Sequence, residues 1–228
     1  MTAPKHILGT FDEALGALRN NVLMMAGLAE RSLDRALKGL LQRDDNLCAT
    51  AIADDEEIDQ LEKQIDKDGV DVLLRFQPVA SDLRRVIAAM KLSPNIERVA
   101  DQATNIARRA RKLNQHPPLP ETDLIAPIQA HAMKMFKDSV DAFVREDVDL
   151  ARAVIERDDA LDKLNKMANR QLTERMAQDP NQLRGYLNLI FVSRCLERVG
   201  DHAANIAEDA VYAAAAEDIR HQPVVRQS

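Results

Sequence analysis

Tryptophan is absent from this chain of 228 residues, aromatic side chains make up 3% of it, and there are only 7 glycines and 2 cysteines. Sheets draw on aromatic and β-branched residues and on glycine-rich turns, so this scarcity argues against a β architecture. The bulk of the chain is Ala, Leu, Glu, Asp, Lys and Arg, the usage of long helices. The two cysteines, Cys48 and Cys195, have no Cys-x-x-Cys spacing and no neighbouring histidine pattern. That excludes a disulfide framework and a cysteine metal site, and leaves both as ordinary thiols. No basic-then-apolar leader opens the sequence, and the longest apolar patch, 187–192, is interrupted by Asn188 and far too short to span a bilayer. The expected location is the cytoplasm. A net charge of -6 without an extended basic, aromatic-studded face disfavours nucleic acid as the main partner. Nor is there a glycine-rich phosphate loop, a nucleophile elbow or a Cys/His dyad.

What the chain does have is a repeat. The stretch Glu97-Arg98-Val99-Ala100-Asp101-Gln102-Ala103-Thr104-Asn105-Ile106-Ala107 returns 100 residues later as Glu197-Arg198-Val199-Gly200-Asp201-His202-Ala203-Ala204-Asn205-Ile206-Ala207. On a helix, residues four apart lie about 40° from each other and one turn along the axis. Glu97 with Asp101, and Glu197 with Asp201, therefore project from one face, and Asn105 and Asn205 continue that stripe. Val99, Ala103, Ile106 and Ala110 gather on roughly the opposite side, as a core edge.

Apolar positions recurring every three or four residues predict helices over 6–43, 47–74 and 79–114, and again over 122–144, 150–177 and 181–216. Gln77-Pro78 and Asp179-Pro180 break the pattern at corresponding places. Pro94 either kinks the third helix or restarts it. The run His116-Pro117-Pro118-Leu119-Pro120 divides the chain almost in half. The resulting plan is all-α: a first three-helix repeat at 1–116, a proline-rich linker at 117–121, a second three-helix repeat at 122–217, and a tail at 218–228 without apolar period. Ile58-Asp59-Gln60-Leu61 answers Leu161-Asp162-Lys163-Leu164 at an offset of 103 rather than 100, which places about three residues of length change near the two proline turns. Met24, Met25, Met133 and Met135 read as core fillers.

The second helix of each repeat carries its own acidic stripe: Asp55 and Asp59, followed by Glu62 and Asp66, in the first, and Asp158 and Asp162 in the second, where Asn165 and Asn169 replace the later carboxylates. If the second and third helices are neighbours, Asp55/Asp59 meets Glu97/Asp101 and Asp158/Asp162 meets Glu197/Asp201. Carboxylates facing one another repel unless cations bridge them, and their oxygens suit iron, zinc, manganese or magnesium. Against this stands a solvated face neutralised by Arg98, Arg108, Arg198 or nearby lysines, but such a face needs no fixed positions, and the pair recurs in all four matched places. A ferritin-like di-metal enzyme would need Glu-x-x-His, and His202 directly follows Asp201 instead; an auxiliary ligand is the most it offers. The run Arg108-Arg109-Ala110-Arg111-Lys112 either complements a helix C-terminus or docks to something acidic.

The doubled Glu-Arg-Val-Ala/Gly-Asp-x-Ala-x-Asn-Ile-Ala in an all-helical chain resembles the PhoU family of phosphate-signalling regulators, over essentially residues 6–216. The resemblance implies two similar three-helix bundles packed side by side, usually in a homodimer. It also implies that Asp55, Asp59, Glu97, Asp101, Asp158, Asp162, Glu197 and Asp201 form surface sites for metal clusters. The implied role is regulatory and not catalytic: restraint of phosphate uptake and of the phosphate-starvation response by coupling the ATPase subunit of the phosphate ABC transporter to a sensor histidine kinase. Membrane association would come only through those partners. A metal-storage bundle or a carboxylate-metal enzyme is the alternative class, and a plain scaffold is a third.

Overall fold

A computed structural model describes residues 4–220, with side chains from residue 9 onward. Seven α-helices account for most of it: α1 (Pro4–Leu41), α2 (Asp45–Ala53), α3 (Asp55–Phe76), α4 (Ala80–Asn114), α5 (Ile125–Arg145), α6 (Val148–Gln178) and α7 (Leu183–Ala215). Two short 3-10 turns, Pro120–Leu124 and Pro180–Gln182, precede α5 and α7, and no strand occurs among the described residues. Of the tail expected at 218–228, residues 221–228 lie outside the described residues.

The hairpins of the two halves are built alike. Arg43 and Glu146 end α1 and α5 in the left-handed region, at φ 57° and 54°. Each is followed by an aspartate that caps the next helix: Asp44 accepts from the backbone N–H of Asn46 at 2.8 Å, and Asp147 from that of Leu150 at 2.9 Å. The second expected helix is divided at Asp54, although an N–H to Thr50 carbonyl bond of 3.0 Å carries the helical trace through it. Its counterpart α6 is unbroken.

Pro94 neither ends nor restarts α4, which runs on for 35 residues, about 50 Å. A proline removes the amide that would bond the carbonyl four residues back. Here the Ser93 hydroxyl donates to that carbonyl, of Met90, at 3.3 Å, so the lost bond is replaced from the neighbouring position.

In the first half α1, α2, α3 and α4 pack on one another; in the second, α5, α6 and α7 do, and α4 lies against α7 to join the two bundles. Lys91 reaches Asp209, Asn205 reaches Asn95, and Arg109 reaches Asn188, so α4 and α7 run antiparallel. The repeat thereby becomes a pseudo-twofold arrangement whose axis passes near Ala100 and Gly200. The apolar edge is core as expected: Val99, Ala103, Ile106 and Ala110, with Val199, Ala203 and Ile206, are sealed from solvent. On α1 the same holds for Leu18, Val22, Met25, Ala29, Leu33 and Leu37, each long side chain contributing about 1.5–3 kcal/mol by burial. Met25 and Met135 are buried, but Met24 turns outward and is half exposed.

Candidate metal faces on the two bundles

The geometry brings the predicted carboxylates together helix by helix. In the first half α3 lies on α4, and Asp55, Asp59, Glu97 and Asp101 share that junction with Glu62. Burial, then the Asp101 carboxylate, pushes Glu97 up to about 7, with Glu62 and Asp59 adding to the push and Arg98 opposing it. Asp55 is raised by burial and by Asp101 and Asp59, although the Thr104 hydroxyl donates to it at 3.3 Å. Glu62 is raised by burial, Asp66 and Asp59. Arg98 provides local relief: its Nε lies 3.3 Å from Glu97 and its Nη1 3.1 Å from Asp101.

In the second half α6 lies on α7 and the same convergence occurs. Burial, then Asp201, Asp162, Asp159 and Glu197, pushes Asp158 up to about 6. Glu197 and Asp201 are raised by burial and by Asp162. Asp158 and Asp201 border a depression of about 370 Å³ together with Glu156, Asp159 and Glu208. Here the relief is shared: Arg198 opposes the push on Asp201, Lys166 pairs with Asp162 at 3.1 Å, and Asn165, 4% exposed, hydrogen-bonds Glu197 and is itself held by the Ser193 hydroxyl and by the Asn169 Nδ2 at 3.0 Å.

Raised proton affinity in both clusters means that ionised carboxylates are held in unfavourable company, and all donors are oxygens. That donor set fits hard or borderline cations. The carboxylates stand as open faces: among the described residues no three acidic, imidazole or thiol groups are drawn close enough to enclose an ion. Arg98 pairs with Glu97 and Asp101, and Lys166 with Asp162.

His202 is not among the carboxylates of α6. Its Nδ1 lies 3.1 Å from the Asn95 side-chain oxygen, across the α4–α7 junction, and burial with Arg98 and Arg198 lowers its affinity for a proton. Three residues of these faces escape a reading that looks for carboxylates. Thr104 and Asn165 act as donors to the acids; both sit on the acidic side of their helix, and that position was the available signal. Gly200 acts by omission, since a Cβ there would stand 2.1 Å from Leu161 Cδ2 and 3.4 Å from Asp158 Oδ1. The exchange of Ala100 for Gly200 between the repeats was its only trace.

Cys48 and Cys195 are both free, and burial pushes each thiol up to about 11, away from reactive thiolate. No helix among the described residues is long and apolar enough to cross a membrane.

Comparison with known proteins agrees with this doubled construction. The PhoU domain family matches residues 22–110 and 125–210, once on each bundle. This chain belongs to the PhoU family. It is 37% identical, over 97% of its length and 92% of the relative's, to the phosphate-specific transport system accessory protein PhoU homolog of Pseudomonas aeruginosa. With the PhoU accessory protein of Escherichia coli K12 it shares 33% identity over 95% of its own length and 90% of the relative's. The crystal structure of PhoU from Pseudomonas aeruginosa superposes with a TM-score of 0.88 at 37% identity, covering 91% of this chain and all of that one (100%). Both relatives are named as accessory proteins of the phosphate-specific transport system.

Proposed function

We propose that this PhoU-family protein is a negative regulator of phosphate uptake and of the phosphate-starvation response. It works in the cytoplasm as a homodimer without catalysis of its own, coupling the ATPase subunit of the phosphate ABC transporter to a sensor histidine kinase when phosphate is plentiful. The observation that carries the reading is the doubled Glu-Arg-Val-x-Asp face on antiparallel α4 and α7, in a chain matched to phosphate transport accessory proteins along nearly its whole length.

A protein of this kind acts by binding one state of each partner better than the other, since equal affinity for both states shifts nothing. Rigid antiparallel helices present a fixed surface for that discrimination. On this reading Asp55, Asp59, Glu97 and Asp101 hold one set of metal ions, and Asp158, Asp162, Glu197 and Asp201 the other, with iron, zinc, manganese or magnesium as candidates. The ions would neutralise the crowded carboxylates and fix the spacing of α3 on α4 and of α6 on α7, and with it the docking surface.

The test is a phosphate-starvation reporter in cells lacking the gene, grown in phosphate-rich medium. Reporter activity should be high and should return to low with a plasmid copy. A Glu97→Ala/Asp101→Ala copy should restore repression poorly, and the purified variant should carry less metal. A reporter that stays silent in the deletion strain overturns the regulatory reading; full repression by a variant that has lost its metal overturns the role given to the ions.

A further inference from the structure

The pseudo-twofold axis makes the two ends of the α4–α7 junction equivalent in position, and their chemistry differs. At one end Lys91 pairs with Asp209 at 3.1 Å and stands 5.3 Å from the centre of the Tyr212 ring. At the other end the equivalent positions are Phe191, Arg109 and Lys112. The carboxylate that would complete the pair is replaced by arginine, and Arg109 lies instead over the Phe191 ring at 4.2 Å and bonds the Asn188 side chain at 3.3 Å. Arg198 also departs from its counterpart. Whereas Arg98 binds both carboxylates of its motif, Arg198 joins Arg109 and Arg194 along a depression of about 310 Å³ floored by Gln102 and Cys195.

That depression continues past Phe191 into a second, of about 390 Å³, bordered by Lys112, Arg184 and Leu187. Together they form a trough between two stripes at helical spacing, running from Arg198 to Arg184 on α7, about 20 Å. Arg184, Arg194, Arg198 and Lys112 are exposed and make no ion pair among the described residues. Arg111 and Lys112 stand in the last turn of α4 as that helix end favours, while the carbonyls of Asn114, at 2.7 Å, and His116 accept from Arg43. Phe191 and Leu187, 44% and 41% exposed, add an apolar strip between the cations.

We propose that this trough docks an acidic amphipathic helix of a partner protein. A helix of about four turns matches its length, with leucine-like side chains against Phe191 and Leu187 and carboxylates toward the flanking guanidinium groups, which bind them in bidentate fashion. A flat anionic bilayer does not reach into a concave trough. A single phosphate ion uses neither the length nor the apolar strip. Arginine beside an exposed aromatic is also the composition that dominates binding energy at protein interfaces.

The identity of the partner rests on the proposed function, so the test uses the transporter ATPase subunit and the cytoplasmic part of the sensor kinase from the same organism, each purified. The full chain is compared with Arg109→Glu/Arg194→Glu/Arg198→Glu, with the milder Arg194→Ala/Arg198→Ala, and with Arg31→Glu as a control elsewhere. The triple variant should bind one partner at least tenfold more weakly. The double variant should show intermediate loss and a shallower salt dependence, and the control should match the wild type. A photo-crosslinking residue at Leu187 should label a partner segment with acidic and leucine positions at helical spacing. Wild-type binding that both variants retain overturns the trough and leaves the proposed function standing. Failure of the wild type to bind either partner overturns both. Loss confined to phosphatidylglycerol vesicles, or a change of oligomeric state with partner binding intact, assigns the trough to a membrane or to a second copy and overturns the proposal.

Discussion

In the first bundle Arg98 lies across Glu97 and Asp101 of its own helix; in the second Arg198 turns toward the α4–α7 trough, and Glu197 is held by the amide of Asn165. Two copies of one motif thus manage the same crowding of acids in different ways. The α3–α4 face keeps Glu62 and Asp66 and relies on an exposed arginine, which water and salt weaken. The α6–α7 face substitutes Asn165 and Asn169, which remove two of its carboxylates, and Gly200 lets Leu161 close on α7. A duplicated site is free to diverge in this manner because each copy needs only its own local neutrality.

Asn165→Glu should break the difference with the largest effect. It restores the first bundle's residue, but at a position 4% exposed beside Glu197, and it severs the bonds to Ser193 and Asn169. In chelator the loss should be about 3 kcal/mol, since a buried charge without a partner is among the most costly single changes. The matching Glu62→Gln should be neutral or slightly stabilising, because that carboxylate is already disfavoured by its neighbours. Urea titrations of both variants measure this. Equal effects at the two positions would show the faces to be the same after all.

Gly200→Ala should cost less. The added Cβ meets the Leu161 side chain, which is fully buried and has no solvent to swing into. Overpacking of about 1–3 kcal/mol is partly offset by the better helix propensity of alanine, for a net of about 1 kcal/mol and a melting temperature lower by ~2–4 °C. Ala100→Gly, its mirror, should lose about as much for the opposite reason, the backbone freedom of glycine. Thermal unfolding separates the causes: Leu161→Val should rescue Gly200→Ala and do nothing for Ala100→Gly.

Most of the fold was legible because a helix bundle writes its core as a three-and-four period, and here it is written twice. The proline turns and the acidic stripes sit at corresponding positions. Continuity at Pro94 was not legible, since it depends on the Ser93 hydroxyl reaching the Met90 carbonyl. Spacing alone put each acidic pair on one face of its helix; that α3 lies on α4 and α6 on α7 came from the packing. Arg98 was readable as a neutralising neighbour and does pair with Glu97 and Asp101, whereas the help of Thr104 and Asn165 was not readable, because both work across helices. The break of symmetry at Lys91/Asp209 against Phe191/Arg109 appears only once α4 and α7 are known to be antiparallel. His202 illustrates the same limit: adjacency to Asp201 in sequence placed it near the acids, and helix rotation places it on the junction with Asn95.

The finest test of the comparison is the pH profile of Glu97→Gln against Asp158→Asn. For an acid whose affinity for protons is higher folded than unfolded, the folded state holds more protons over the interval between the two values. Its stability therefore falls as pH rises through that interval. For Glu97 the interval runs from the ordinary 4.5 to about 7, and for Asp158 from 3.8 to about 6. In chelator the wild type should thus lose stability toward neutrality, by about 1 kcal/mol per group once screening by solvent is allowed for. Glu97→Gln should flatten the profile between about pH 5 and 7, and Asp158→Asn at more acid pH, with melting temperature as the readout. Adding a bound divalent cation makes the ionised form the favoured one, so Glu97→Gln should then change from slightly stabilising to destabilising at pH 7. Such a reversal belongs to a carboxylate face built to meet a cation, whereas a face that is merely crowded keeps the same sign with or without the metal.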